Sequence, residues 1–339
     1  MGSIAHNSVM SWLELLQSQP WLYNTFVLVL GAMAGSFASA AIYRIPLEGM
    51  SIVNPPRSFC PKCKHSLKWY DNIPVVGYLL LRGKCRYCSS SFSFGYFSNE
   101  LICAALFYLV AHSWVAAPAE GGGLVALLCS LVAVCALWIA AVIDWKHFIL
   151  PDGITLGGIL FGFVASAAVP QFQFWPQLSS SLTVSALTGL ELSITTSGAL
   201  ISAFLSSSIS FVLLLGIGRG FSYLLGQEAL GFGDVKYIAA VGAFLGIEGS
   251  LWTLAIGVFA GALLGILNVL RFCFVVSLRR KQRGSQLAYA HSSSYVGWRI
   301  GRVIPFGPPL ILGTILTMLF PLQVHNFFLV TWPSLLVNG

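Results

Sequence analysis

Gly231-Phe232-Gly233-Asp234-Val235-Lys236 places one carboxylate behind two glycines at the mouth of a short apolar run, Val235 to Ile247, rich in Gly and Ala. An acid at the edge of hydrocarbon is costly to keep charged, and a helix of small residues packs closely inside a bundle instead of facing lipid. The stretch therefore reads as the inner helix of a membrane bundle with an acid at its end. By itself two glycines before an aspartate are a weak signal. A second acid strengthens it: Asp144 ends another apolar run in Ile143-Asp144-Trp145-Lys146.

Working outward, the composition sets the class. Of 339 residues, 57% are hydrophobic and only 9% charged, and the mean hydropathy is +0.82. Soluble domains carry about 25% charged residues, so the chain is an all-α polytopic membrane protein. Apolar windows place about eight transmembrane helices, at 22–43, 99–117, 124–143, 153–170, 198–217, 235–247, 250–270 and 306–330. The 18 basic residues fall in, or at the edge of, loops of one parity. The largest groups lie between Arg44 and Ser98 and between Arg271 and Arg302, and Lys146, Arg219 and Lys236 complete the set. Loops of the other parity hold Glu14, Glu120, Glu191 and Glu248 and no Lys or Arg. The positive-inside rule makes the basic loops cytoplasmic and puts both termini outside. Asp144 and Asp234 then emerge together on the cytoplasmic side.

The net charge of +7 is thus juxtamembrane charge suited to anionic membrane lipids, and no nucleic acid is expected as a partner. Met1 to Pro20 contain no Lys or Arg, unlike the start of a secretory signal, so the N-terminus is expected to be retained. The organisation follows as 1–43, outer N-terminus and first helix; 44–98, cytoplasmic zinc-binding insert; 99–339, transmembrane core. Gln171 to Ser197 reads as an outer loop, Gly121-Gly122-Gly123 as a turn, and no fixed-period repeat is present.

Eight cysteines split into two populations. Cys103, Cys129, Cys135 and Cys273 sit in apolar spans as small hydrophobes. Cys60-Pro61-Lys62-Cys63 and Cys85-Arg86-Tyr87-Cys88 are two C-x-x-C knuckles 21 residues apart, close to the spacing of a four-cysteine zinc site. A reducing cytoplasm favours metal over disulfides. A polar insert of this size also lacks a core of its own, which a structural zinc would replace. Four thiolates leave no open position, so the ion is structural and not hydrolytic, and His65 is not needed as a ligand. A zinc metalloprotease is disfavoured further by the lack of an H-E-x-x-H helix.

The two acids leave three readings open. A dyad within hydrogen-bond reach would keep one carboxylate protonated and one ionised, able to activate water and protonate a leaving amine. Alternatively Asp234 caps its helix and Asp144 is a solvated loop residue, or the acids serve an ion- or proton-coupled transporter, which would instead need polar groups at mid-bilayer. Gly231 and Gly233 would let an extended peptide approach. Asp152, after Pro151, is expected to cap the next helix, and His147 to be solvated. His6, His112, His291 and His325 have no ligand spacing and carry no assignment.

Several ordered motifs together resemble one family. Gly35-Ser36-Phe37 with Ile42-Tyr43-Arg44-Ile45-Pro46, Arg57-Ser58-Phe59-Cys60-Pro61-Lys62-Cys63, Asn72-Ile73-Pro74-Val75, Leu81-Arg82-Gly83-Lys84-Cys85-Arg86-Tyr87-Cys88, Asp144 with Leu150-Pro151-Asp152, Gly231 to Lys236 and Pro305-Phe306-Gly307-Pro308 are similar to bacterial type IV prepilin peptidases. These are bifunctional leader peptidase and N-methyltransferase enzymes of the GxGD aspartyl protease class. The resemblance implies that Asp144 and Asp234 are the catalytic pair, with Gly231, Gly233 and Lys236 beside the substrate. It implies cleavage after a glycine of prepilin and pseudopilin leaders at the cytoplasmic face of the inner membrane, in type IV pilus and type II secretion systems. Methylation of the new N-terminal residue by S-adenosylmethionine would follow, and acids near the site would hold the leader's positive charge. Where the family carries Arg-Tyr-Pro and then Val-Glu, a region tied to methylation, this chain reads Phe94-Gly95-Tyr96-Phe97-Ser98-Asn99-Glu100. Gly95, Tyr96 and Glu100 are the methyltransferase-associated positions that remain. The Gln171 to Ser197 and Lys281 to Tyr295 segments look longer than is usual in the family.

Overall fold

The computed structural model describes residues 17–47, 49, 52, 58–116, 123–174, 195–226, 230–282 and 305–334. Most of the expected outer loop (175–194), most of the 281–295 segment, Gly121 and Gly122 lie outside the described residues. Among the described residues there are helices and two isolated β-bridges but no strand. The chain divides into two compact units, Met1–Ile139 and Ala140–Gly339.

In the first unit, α1 (Pro20–Arg44) packs along α3 (Phe94–Ala111). Lipid offers helices no hydrophobic reason to associate, so contact depends on small residues and polar pairs. Gly31 and Gly35 form a G-x-x-x-G face on α1: a Cβ on Gly31 would lie 2.6 Å from Ala104 Cα, and one on Gly35 2.5 Å from Glu100 Cα. Polar contacts fix the register, as Tyr23 Oη donates to the Ala111 carbonyl at 3.0 Å and Asn99 Nδ2 to Ser39 Oγ at 3.1 Å. Helix α3 begins at Phe94 instead of 99 because Ser93 caps it, its Oγ accepting from the Gly95 N–H at 3.1 Å. The long helix α4 (Leu124–His147) starts in this unit, where Trp138 Nε1 donates to Asn99 Oδ1.

Between α1 and α3 lies the insert, with a 3-10 turn at Trp69–Asn72 and the short α2 (Val76–Leu80). Its two cysteine knuckles are built alike. Cys60 N–H donates to the His65 carbonyl and Lys64 N–H to that of Cys60, while Cys85 N–H donates to Ser90 and Ser89 N–H to Cys85. Bridges Phe59–Ser66 and Lys84–Ser91 close both hairpins. Lys64 and Ser89 occupy matching left-handed positions, φ 59° and 55°.

In the second unit the end of α4 is followed by α5 (Asp152–Ala168), the one-turn α6 (Gln171–Phe174), α7 (Thr196–Leu225), α8 (Phe232–Gln282), α9 (Gly307–Leu319) and α10 (Pro321–Asn326). The expected inner helix is the first half of α8. It packs against α5, α7 and α9, and residues 237–250 are all buried. The expected sixth and seventh spans, 235–247 and 250–270, are the two halves of α8, parted at Gly246, whose φ of 72° and ψ of −178° only glycine adopts readily. A break strips carbonyls in the preceding turn of their helical donors. Ala243 O is covered instead by Ser166 Oγ at 2.9 Å and Gln173 Nε2 at 2.8 Å, and Gln173 Oε1 accepts from Ser202 Oγ.

The eighth span, expected as one run from 306 to 330, bends by 109° between α9 and the segment Pro321–Ser334. Phe320, ahead of a proline, is driven from the helical region to φ −130° and ψ 53°. Among the described residues five helices are long and apolar enough to cross a membrane, six if the bent pair is one span, and α5 is shorter. Asp152 is the first residue of α5 and makes no capping bond; its carboxylate pairs with Lys236. That corrects the capping role expected for it, because Pro151 takes the cap position and turns the acid outward.

Backbone contact through glycine carries a stability consequence. Gly35→Val should force α1 from α3 and cost about 1–3 kcal/mol, lowering the unfolding temperature in detergent. Gly216→Ala on α7, where nothing lies within 4 Å of the added Cβ, should be neutral or stabilise by about 0.5–1 kcal/mol.

Candidate functional site

Asp144 is buried, 5% exposed, in the last turn of α4. The following residues make a corner: Phe148 N–H returns to the Asp144 carbonyl at 2.8 Å, and Phe148 sits at φ 58°, a C-terminal position usually held by glycine. A bulky side chain there is strained backbone, which the surrounding packing must hold. The corner delivers buried Leu150 between two glycines. A Cβ on Gly233 would lie 3.3 Å from Leu150 Cβ, and one on Gly307 3.2 Å from Leu150 Cδ2.

Gly307, the first residue of α9, donates its N–H to Asp144 Oδ2 at 3.0 Å. A helix N-terminus presents free N–H groups and partial positive charge to an anion. The approach is close enough that a Cβ on Gly307 would lie 2.5 Å from that oxygen. Sequence reasoning placed Gly307 in a motif without giving it a task; a Pro-Phe-Gly-Pro start to an apolar helix was the available signal.

Asp234 occupies the first turn of α8, and its backbone N–H donates to the Gly231 carbonyl at 3.1 Å. Its carboxylate turns back onto Gly231, where a Cβ would stand 3.3 Å from Oδ2. The helix starts at Phe232, so Asp234 is inside it and is not the cap. Leu150 lies against both Gly233, next to Asp234 in the chain, and Gly307, which holds Asp144, so the two acids flank one residue. Lys236 is engaged elsewhere: its ammonium pairs with the exposed Asp152 carboxylate and lies 5.3 Å over the Phe232 ring. His147 is exposed.

In the insert, the sulfurs of Cys60, Cys63, Cys85 and Cys88 lie within 4.8 Å of one another. Cys60–Cys88 and Cys63–Cys85 separations are 3.9 and 4.0 Å, far beyond the roughly 2.05 Å of a disulfide. Tetrahedral Zn–S bonds of about 2.3 Å put thiolates about 3.8 Å apart, so the four sulfurs fit a zinc ion. Burial pushes the Cys60 thiol up, but hydrogen bonds from the Cys63 and Lys62 backbone and the Ser90 hydroxyl outweigh it and bring it down to about 6. A thiol so poised is ready to bind metal as thiolate. His65 faces the Tyr87 ring and is not in the cluster.

Of the three methyltransferase-associated positions, Tyr96 and Glu100 lie one turn apart on α3 and line a cavity against α1 and the insert. Gly95 serves the helix start and is not in that lining. Glu100 Oε2 accepts from the Val75 N–H at 2.7 Å. Asp71, which sequence reasoning passed over, is buried beside the same cavity.

Residues 29–114 match the Bacterial Peptidase A24 N-terminal domain, and residues 131–266 match the Type IV leader peptidase family. A prepilin leader peptidase/N-methyltransferase of Klebsiella pneumoniae is 34% identical over 242 residues, covering 69% of this chain and 90% of that protein. The proteins of that name from Aeromonas hydrophila and Dichelobacter nodosus are 29% and 28% identical, over 84% and 93% of this chain and 92% and 97% of their own lengths. No solved structure matches. With two family descriptions in register along the chain and a relative matched over nine-tenths of its length, this chain belongs to the type IV leader peptidase family.

Proposed function

We propose that the chain is an aspartyl endopeptidase of the bacterial inner membrane that cuts prepilin and pseudopilin leaders after a glycine, on the cytoplasmic side. It then methylates the new N-terminal amine with S-adenosylmethionine. The observation that carries the peptidase reading is the gathering of Asp144 and Asp234 on either side of Leu150 through Gly307 and Gly233. In this reading one carboxylate takes a proton from water as the oxygen attacks the glycine carbonyl. The other gives its proton to the amide nitrogen as the C–N bond breaks, so a carboxylic acid and a free amine leave. Catalytic acids and bases must hold their orientation, and the Gly307 N–H gives Asp144 that.

The glycines of the motif divide their work. Gly233 makes room for Leu150 and so seats the α4–α5 corner, whereas Gly231 is exposed and leaves its backbone open to an extended substrate. Basic loops on one parity support a cytoplasm-facing site with both termini outside. Cys60, Cys63, Cys85 and Cys88 would hold a structural zinc, which would fold an insert too small for its own core.

Asp144→Asn and Asp234→Asn should each reduce leader cleavage by about 10²–10⁴-fold, the usual share of a general acid or base. The protein should still insert in membranes at normal levels. Normal processing by either variant, in membranes without another leader peptidase, would defeat the dyad. Gly307→Ala tests positioning: moving Asp144 by about 1 Å should lower kcat by roughly 100-fold with little change in KM. For the insert, elemental analysis should find one zinc per chain, lost in Cys60→Ser/Cys85→Ser. Cleavage that persists in a folded, zinc-stripped protein would separate this mechanism from a zinc hydrolase.

A further inference from the structure

Between α1, the insert and α3 lies a half-open cleft, whose empty space is about 830 Å³ with the open solvent at its mouth included. Neither Asp144 nor Asp234 lines it. Its walls carry five aromatic rings, Tyr43, Phe59, Tyr78, Phe92 and Tyr96, and its polar side holds two buried carboxylates, Asp71 and Glu100. These acids are not equivalent. Glu100 is committed to the architecture: it holds the N–H of Val75, a β-branched residue at φ 63°, and so fixes the strained turn that shapes one wall. Asp71 is committed on one side only. Its Oδ1 accepts from Arg86 Nε at 2.9 Å and Nη2 at 2.6 Å, while its Oδ2 is buried with no hydrogen-bond partner.

An unpaired buried carboxylate oxygen is costly, and native proteins seldom leave one without a purpose. A bound donor or cation removes the cost. Aromatic faces attract cations and stack with planar bases. Anionic and aromatic groups together therefore suit a ligand with both a positive centre and a flat ring.

We propose that this cavity is the binding site for S-adenosylmethionine, with the free oxygen of Asp71 as its anionic contact and Tyr96 as part of its aromatic wall. The inference rests on the methyl-transfer reading above and adds to it a location and named residues. When a donor is bound, a substrate amine can take the methyl carbon with its lone pair, the carbon–sulfur bond breaks to leave a neutral thioether, and the amine's proton passes to water. The buried carboxylate serves affinity for the sulfonium form over that thioether product, so the product is released more readily than the donor.

Calorimetric titration of the full-length protein in detergent, with S-adenosylmethionine and separately with S-adenosylhomocysteine, tests this. Asp71→Asn keeps an acceptor for Arg86 and should weaken binding of the sulfonium form at least tenfold while affecting the thioether much less. Tyr96→Ala should weaken both to a similar degree. Zinc content reports that the insert is intact, and Tyr96→Ala, on α3 outside the insert, carries the decision where Asp71→Asn loses its metal. Asp144→Asn should bind both ligands as wild type does. Wild-type affinity in zinc-replete Asp71→Asn and in Tyr96→Ala would overturn the location and leave the methyl-transfer reading standing. A wild-type protein that binds neither ligand and yields only unmethylated cleaved product would overturn that reading, and the proposal with it.

Discussion

Helices in lipid gain nothing from hydrophobic association, so where two backbones meet in this chain the approach is made by removing a side chain and is fixed by pairing polar groups. Gly35 shows the first device, meeting the backbone of Glu100 at a distance no Cβ would permit. Gly242 meets the Ser206 carbonyl in the same way, 2.8 Å from where its Cβ would be, and Ser210 Oγ then bonds Ser250 Oγ at 2.7 Å. The device reaches into the candidate site at Gly307, where what approaches the bare backbone is a carboxylate. Packing and site chemistry are thus one constraint: α9 can lie against the α4–α5 corner only if its first residue is glycine, and that same residue offers the N–H that orients Asp144.

The broken helix α8 puts this constraint to further use. Its first half is held at the far end by Gln173 and Ser166, which cover the carbonyl of Ala243 near the break, and along its side by Tyr237 Oη against Thr314 Oγ1 at 2.5 Å. Asp234 rides at the opposite end of this short rod. Since Thr314 is on α9, the element that carries Gly307 also braces the element that carries Asp234.

How much of this was legible in the sequence depended on whether the signal was local. The apolar runs, the two C-x-x-C knuckles and the acid behind two glycines are local patterns; the runs fall on helices, though five or six among the described residues are long enough to span where eight were expected, and the knuckles fall on one cluster. The break between the sixth and seventh spans, expected at 248–249, falls at Gly246 instead, because the groups that cover Ala243 O there, Gln173 and Ser166, lie 70 and 77 residues away in the sequence. Asp152 was misjudged for a similar reason. Its neighbour Pro151 suggested a cap, while its actual partner, Lys236, is 84 residues away. Asp71 drew no notice because an acid in a polar insert is unremarked until its burial is known. The G-x-x-x-G at Gly31 and Gly35 was readable, and stood unread beside a stronger motif.

Glu100 is the point at which helix packing and the insert depend on each other. Its backbone lies against Gly35, which fixes α3 on α1, and its carboxylate holds the N–H of Val75, which fixes the turn ahead of α2. On the insert's other side Arg86, one residue past Cys85, grips Asp71, an ion pair internal to the insert that ties the second knuckle to the cavity wall. The cavity lies between these two anchors, so a metal that sets the knuckles also sets the distance from Asp71 to Glu100. A closed four-cysteine site, with no chemistry of its own, would therefore still govern any ligand that both carboxylates define: the ion would act on the cavity through Arg86.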